Sequence, residues 1–239
     1  DADRVVLNDN GTMVQVAVTD LSAYFDDEIT AMPNLVTVGA GGTASSIAGI
    51  PFYSSDNSIY THNVSGTDDT ASGNSAYGIS AMDAITTGDN NTAVGRSALG
   101  ANTTAGGNVA VGKDALTDNT TGAENVAVGE NSLANNTTAA GNTAVGRGSM
   151  FTNTTGANNV GIGFDALYAN TTGTRNIAIG RGAYDASDTE NDNLAIGYEA
   201  MTTNTAGGIQ NIAIGNYALD GLTSGDSNVA IGYSAMSAT

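Results

Sequence analysis

The strongest constraint on this chain is a sentence of nine residues that returns every seventeen. Asn91-Thr92-Ala93-Val94-Gly95-Arg96-Ser97-Ala98-Leu99 comes back as Asn108-Val109-Ala110-Val111-Gly112-Lys113-Asp114-Ala115-Leu116 and then keeps returning. Its glycine falls at Gly78, Gly95, Gly112, Gly129, Gly146, Gly163, Gly180, Gly197, Gly215 and Gly232. Every spacing is seventeen except the eighteen between Gly197 and Gly215, whose extra residue lies around Ala206-Gly207-Gly208-Ile209. With positions counted from that glycine, −4 is always Asn: Asn74, Asn91, Asn108, Asn125, Asn142, Asn159, Asn176, Asn193, Asn211 and Asn228. Position −2 is Ala except at Gly161, and −1 is Val or Ile except at Tyr77. Position +3 is Ala or Ser, and +4 is Leu or Met except at Tyr184. A fixed period of this kind marks a stacked-repeat architecture.

The letters have a mechanical reading. The x-Ala-[Val/Ile] segment alternates and is β-branched, as suits a very short strand, with −3 and −1 on one face and −2 on the other. The glycine permits a bend with positive φ. A polar loop follows, at Asn102-Thr103-Thr104, Asn119-Thr120-Thr121, Asn136-Thr137-Thr138, Asn153-Thr154-Thr155 and Asn170-Thr171-Thr172, with the composition of a turn. A unit with roughly five apolar residues cannot bury a core alone and needs its neighbours. The expectation is an all-β fold: a parallel β-solenoid, or β-roll, of ten 17-residue coils. At about 4.8 Å per coil its rod is on the order of 48 Å long. Both strand faces are apolar, so one fills the coil and the other needs a cover, which three chains around an axis would supply. Pattern alone does not say which face is which. The repeated Asn has two readings, a stacked amide ladder or a row of ligands, and stacking accounts for identical copies more directly.

Composition narrows the function. Six Lys and Arg face 24 Asp and Glu, for a net charge of −18, which repels nucleic acid and anionic membranes. There is no Cys, hence no disulfide or thiolate metal site. No apolar run has the length of a membrane helix. The only imidazole, His62, supplies neither a His-rich metal site nor a nucleophile elbow, so no catalytic residue, cofactor or metal is expected. Gly161-Ile162-Gly163 is repeat glycine rather than a dinucleotide fingerprint. Asp68-Asp69 and Asp188-Thr189-Glu190-Asn191-Asp192 lack the spacing of a calcium loop and read as solvated loops. Asn-Thr-Thr matches a glycosylation acceptor, yet a turn is the simpler reading. Arg96, Lys113, Glu130 and Arg147 share position +1 and form a mixed solvent-facing row. Phe164, Tyr198 and Tyr233 share that position, with Tyr217 one further on. They are weak surface-recognition candidates, suited either to stacking on sugars or to packing between coils.

Residues 1–38 read as a small attachment module. Arg4–Leu7 and Thr12–Val18 flank Asn8-Asp9-Asn10-Gly11 as a β-hairpin, and Leu21, Tyr24, Phe25 and Ile29 share one face of a helix capped by Thr19 or Asp20. Residues 39–56 are a Gly/Ser-rich linker and transition, and 57–239 hold the repeats, with 57–73 a degenerate capping coil whose Asn57 lies seventeen before Asn74.

Asn108-Val109-Ala110-Val111-Gly112-Lys113-Asp114-Ala115-Leu116 and Asn176-Ile177-Ala178-Ile179-Gly180-Arg181-Gly182-Ala183-Tyr184 resemble the head repeats of trimeric autotransporter adhesins. That resemblance implies a left-handed parallel β-roll, a homotrimer and an extracellular adhesive role. The longer unit with its Asn-Thr-Thr-Gly loop, and the stretch from Leu7 to Ile29, are similar to bacteriophage tail-fibre proteins. The likeness over 74–239 implies the structural shaft of a virion tail fibre, joined to other tail or fibre proteins through 1–38. It would present a distal region, beyond residue 239, to a host-surface glycan or protein. The alternative it leaves open is a bacterial surface adhesin that binds through the solenoid side. A third reading, an ice-binding solenoid, is weakened because Thr103 and Thr104 are adjacent and point to opposite faces.

Overall fold

The computed structural model describes residues 70–186, 188–203 and 207–237 with their side chains, and the backbone of strand segments within 4–60. The chain divides into two units, Asp1–Phe52 and Tyr53–Thr239.

In the first unit, β1 (Arg4–Asp9) pairs antiparallel with β2 (Thr12–Ala17), Arg4 opposite Ala17. The strands run further towards each other than the sequence pattern indicated, and only Asn10-Gly11 lies between them. A second antiparallel sheet orders β3 (Thr37–Val38), β4 (Ala44–Ile47) and β5 (Ile50–Pro51). β4 and β5 fall inside the stretch read as linker. The helix expected over 20–29 lies outside the described residues.

The second unit is one parallel sheet wound into a solenoid. Its rungs are β6 (Ile59–Tyr60), β7 (Ser75–Tyr77), β8 (Thr92–Val94), β9 (Val109–Val111), β10 (Val126–Val128) and β11 (Thr143–Val145). They continue as β12 (Val160–Ile162), β13 (Ile177–Ile179), β14 (Leu194–Ile196), β15 (Ile212–Ile214) and β16 (Val229–Ile231). Each pairs only with its sequence neighbours, and like letters oppose like: Ala110 sits beside Ala127 and Ala127 beside Ala144. The described residues of this unit contain no helix. At the first rung Ile59, not Ser58, opposes Ser75, so β6 joins one residue out of the seventeen-residue phase.

The face that pattern alone left open is settled by size. The −2 alanines, Ala93, Ala110, Ala127, Ala144 and their successors, are buried in the coil interior, while Val94 is 40% and Ile179 36% exposed. Ala98 and Leu99, at +3 and +4, are equally buried and meet the −2 alanines in one continuous core. The interior is narrow, so the strand contributes methyl groups and the opposite wall contributes Leu or Met. Gly161 is the exception that confirms this fit. A Cβ there would lie 2.7 Å from Ser149 Oγ and 2.9 Å from Met150 Cγ, which are bulkier than the usual Ala-Leu pair.

Only three residues per coil are strand, yet coils hydrogen-bond to each other around most of the perimeter. Thr92 N donates to Asn108 O, Leu99 N to Ala115 O and Thr103 N to Thr120 O, while Gly112 N and Asp114 N donate back to Val94 O and Arg96 O. After the glycine the chain makes successive tight turns, Ala98 N to Gly95 O and Gly100 N to Ser97 O. These put Ser97 at φ 56° and Leu99 at φ 52°, as turns with a positive third residue require. A left-handed Leu costs about 1–2 kcal/mol, and its complete burial contributes about 1.5–3 kcal/mol. Burial wins, which is why a non-glycine residue holds that backbone in coil after coil. The anchor glycine cannot be replaced in this way. Gly95 sits at φ +136°, and a Cβ on it would lie 2.6 Å from the Gly112 carbonyl carbon.

Candidate functional site

The repeated polar letters form two ladders inside the coil. In the first, at −4, the side chain of Asn91 accepts from Asn108 N (2.9 Å) and donates to Ala105 O (2.8 Å). The same pair of bonds recurs at Asn108, Asn125, Asn142 and Asn159. Asn74, Asn176, Asn193 and Asn211 continue it, and Asn228 closes it by donating N–H and Nδ2 to Asn211 Oδ1. From Asn74 to Asn211 these asparagines are buried, so they hold coil to coil and strand to loop.

The second ladder was read from sequence only as a turn. Asn102, Asn119, Asn136, Asn153 and Asn170 are fully buried. Each amide donates to the carbonyl three residues on, and from Asn119 onward also to the amide oxygen before it, as Asn136 Nδ2 to Asn119 Oδ1 at 2.8 Å. The two ladders converge: Ala139 O accepts from Asn125 Nδ2 at 2.8 Å and from Asn136 Nδ2 at 3.0 Å. One loop carbonyl thus uses both lone pairs on the two asparagines of its coil. Burial also removes the glycosylation reading, because these are the acceptor asparagines themselves. Of each Thr pair, the first donates its hydroxyl to the next coil, as Thr120 Oγ1 to Thr137 O, and only the second is exposed. At the seventh coil the inner Asn gives way in sequence to Ser187, and Tyr184 takes the +4 place, fully buried with its hydroxyl accepting from Asn193 Nδ2.

The acidic loop is less solvated than its composition suggests. Glu190 is buried, and its carboxylate accepts from the N–H groups of Asp188, Thr189 and Gly207. Asp192 receives a two-pronged contact from Arg175 at 2.6 and 2.8 Å, which holds its carboxyl below the usual range. The described residues contain no group of three side chains able to hold a metal ion. His62 and Asp68-Asp69 lie outside the described residues.

The outer +1 column carries the remaining chemistry. Its first half is ion pairs between coils: Arg96 with Asp114 at 3.3 Å, Lys113 with Glu130 at 3.1 Å and Arg147 with Glu130 at 3.8 Å. The hydrogen bond to Glu130 raises the Lys113 pKa above its ordinary value, and Asp114 adds to it. Such exposed pairs contribute little to stability. The second half brings the four aromatic candidates together with two arginines. The Arg147 guanidinium lies 5.3 Å from the Phe164 centroid, and Arg181 lies 5.6 Å from Phe164 and 5.4 Å from Tyr198. Tyr198 meets Tyr217 edge-on at 5.4 Å, and Tyr217 meets Tyr233 at 5.9 Å. Packing between coils accounts for each of these contacts. The structure adds a pair the motif did not single out: Phe151 and Tyr168, both at +5, stacked at 5.4 Å with planes 13° apart. Their signal in the sequence is the departure from Gly100, Thr117 and Ala134 at the same position.

Comparison with family models, curated proteins and solved structures finds no match to this chain.

Proposed function

We propose that this chain is a structural, non-enzymatic protein: the shaft of a phage tail fibre, assembled as a homotrimer of β-rolls and presenting a distal region to a host-surface glycan or protein. The observation that carries the reading is the outward strand face. Val94, Val111, Ile162 and Ile179 are each more than a third exposed and lie in one straight column, with Thr92, Val109, Val160 and Ile177 beside it. A continuous apolar stripe along a rod is what a monomer avoids and an intertwined assembly uses. Three copies sharing an axis would each cover the others' stripe and close the interface, as cyclic symmetry requires. The strong negative charge disfavours nucleic acid and anionic membrane partners and is compatible with an extracellular rod on a virion.

Light scattering tests the assembly. The expected mass is close to three times the 23.7 kDa of one chain, and Val128→Asp with Val145→Asp, both outward at −1, should return a folded monomer. A monomeric wild-type chain removes the trimer. Labelled antibody on intact particles tests the location, with decoration of virion tails expected. Decoration of a bacterial surface instead would establish the second reading, a trimeric surface adhesin, which the aromatic and arginine column on the solenoid side favours.

A further inference from the structure

Aromatic residues are unevenly placed along the solenoid. From Asn74 through Ala140 there is only Tyr77, whereas Phe151, Phe164, Tyr168, Tyr184, Tyr198, Tyr217 and Tyr233 follow. Where this change begins, the wall of the rod opens into a recess of about 200 Å³ lined by Asn131, Arg147, Gly148, Phe151, Asp165 and Tyr168. Its origin is a set of local departures from the repeat. Position +2 holds Ser97, Asp114, Asn131 and Asp165 in neighbouring coils, but Gly148 here, so the middle coil has no side chain to fill the space. Gly148 has φ +67°, and a Cβ on it would meet Asp165 Oδ1, the end of a flexible side chain that can turn aside without moving the backbone. Position +5, small or polar in the coils before, becomes the stacked Phe151 and Tyr168.

We propose that this recess binds one neutral pyranose ring of a surface polysaccharide. The volume lies below the ~300 Å³ at which cavities begin to enclose drug-sized ligands, so it admits a single ring. The nearly parallel Phe151 and Tyr168 rings offer aromatic surface to the C–H bonds of a sugar, and aromatic side chains combine apolar area with defined geometry. Around them stand a guanidinium with only donors, a carboxylate with only acceptors and an amide with both, the set that vicinal hydroxyls require. Arg147 is already paired with Glu130, so Asp165 leaves the recess with no excess of positive charge, which selects against ionised sugars and against phosphate. Arg147 is further positioned over the face of Phe164, 5.3 Å from its centroid. This inference goes beyond the shaft reading, because it places recognition on the side of the rod, and it does not depend on where the particle is found.

The recess can be filled, or stripped of one of its rings, with letters that the repeat itself uses. Gly148→Asn installs the residue that Asn131 already is at the same left-handed position (φ 57°), and Phe151→Ala copies Ala134. Both variants should therefore keep the coil register, which circular dichroism and melting temperature check. Saturation-transfer NMR of the full 239-residue chain with methyl glycosides of glucose, galactose, mannose and N-acetylglucosamine should show transfer to at least one. Affinities on the order of 1 mM are expected for one ring on an open wall. Each folded variant should weaken that binding by about tenfold or more, whereas Tyr233→Ala, at the far end of the aromatic column, should leave it unchanged. Absence of transfer to all four glycosides overturns the proposal. So does binding by Gly148→Asn that equals wild type, and so does a preference for glucuronate or phosphate over the neutral sugars.

Discussion

A single asparagine shows how the repeat is held. Asn125 Oδ1 takes the N–H of Asn142 and its Nδ2 reaches Ala139 O. Asn125→Ala should cost about 2–4 kcal/mol, mostly from the buried N–H left without an acceptor, because Ala139 O keeps its second donor, Asn136. Denaturant midpoints of the two proteins measure it. Asp185 gives a prediction of opposite sign. Burial raises its pKa above the ordinary carboxylate value, with Glu199 and Asp165 adding to the shift. The native state therefore binds this proton more tightly than the unfolded chain, and the ionised carboxylate costs stability at neutral pH. That cost fades as pH falls through the raised pKa and is gone below the unfolded value of about 3.9. Asp185→Asn should melt higher than wild type at pH 7, and the difference should close by about pH 3.5 in parallel melting curves. A gap that is constant with pH would assign the gain to something other than charge.

At the level of the element, the strand–glycine–turn unit was legible in the sequence, because β-branching, glycine and spacing all point the same way. The inward face was not legible: Ala and Val are both apolar, and the choice depends on the width left by Leu99 and Leu116 across the coil. The inner asparagine ladder was hidden because Asn-Thr-Thr has the composition of an exposed turn, and burial is decided by the neighbouring coil. The left-handed Leu and Met at +4 were hidden too, since propensity argues against them and only their enclosure outweighs it. Phe151 and Tyr168 escaped notice for a different reason: +5 is a variable column outside the fixed motif, and the departure from Gly100, Thr117 and Ala134 shows only when that column is read by itself. The anchor glycine was read as a bend, but its stricter role is close approach. Gly112→Ala would place a Cβ 2.6 Å from the Gly129 carbonyl carbon at φ +140°. A loss of about 3 kcal/mol or more is expected, against about 1–2 kcal/mol for Gly207→Ala, which meets no neighbouring atom but sits at φ +99° and so keeps only the backbone strain. Thermal melts of both variants make the comparison.

For the whole solenoid, the ladder of identical letters means that length is quantised. A segment joins its neighbours only if every column arrives in phase, so the rod changes by entire coils or not at all along its strand side. Removing the seventeen residues 108–124 would set Asn91 beside Asn125 and Ala93 beside Ala127, restoring every rung in a rod shorter by about 4.8 Å. Removing Val109 alone would turn the interior methyl column outwards for one coil, as a one-residue slip does in any strand. The first deletion should fold with a melting temperature near wild type, and the second should lose cooperative unfolding. The chain already carries one insertion on its tolerant side. Across the eighteen-residue step, Asn211 N still reaches Asn193 Oδ1 at 2.9 Å, so the surplus residue leaves the strand-side register intact. Such a rod behaves as a ruler marked in coils, able to gain or lose divisions by duplication and deletion without redesign of any surviving mark.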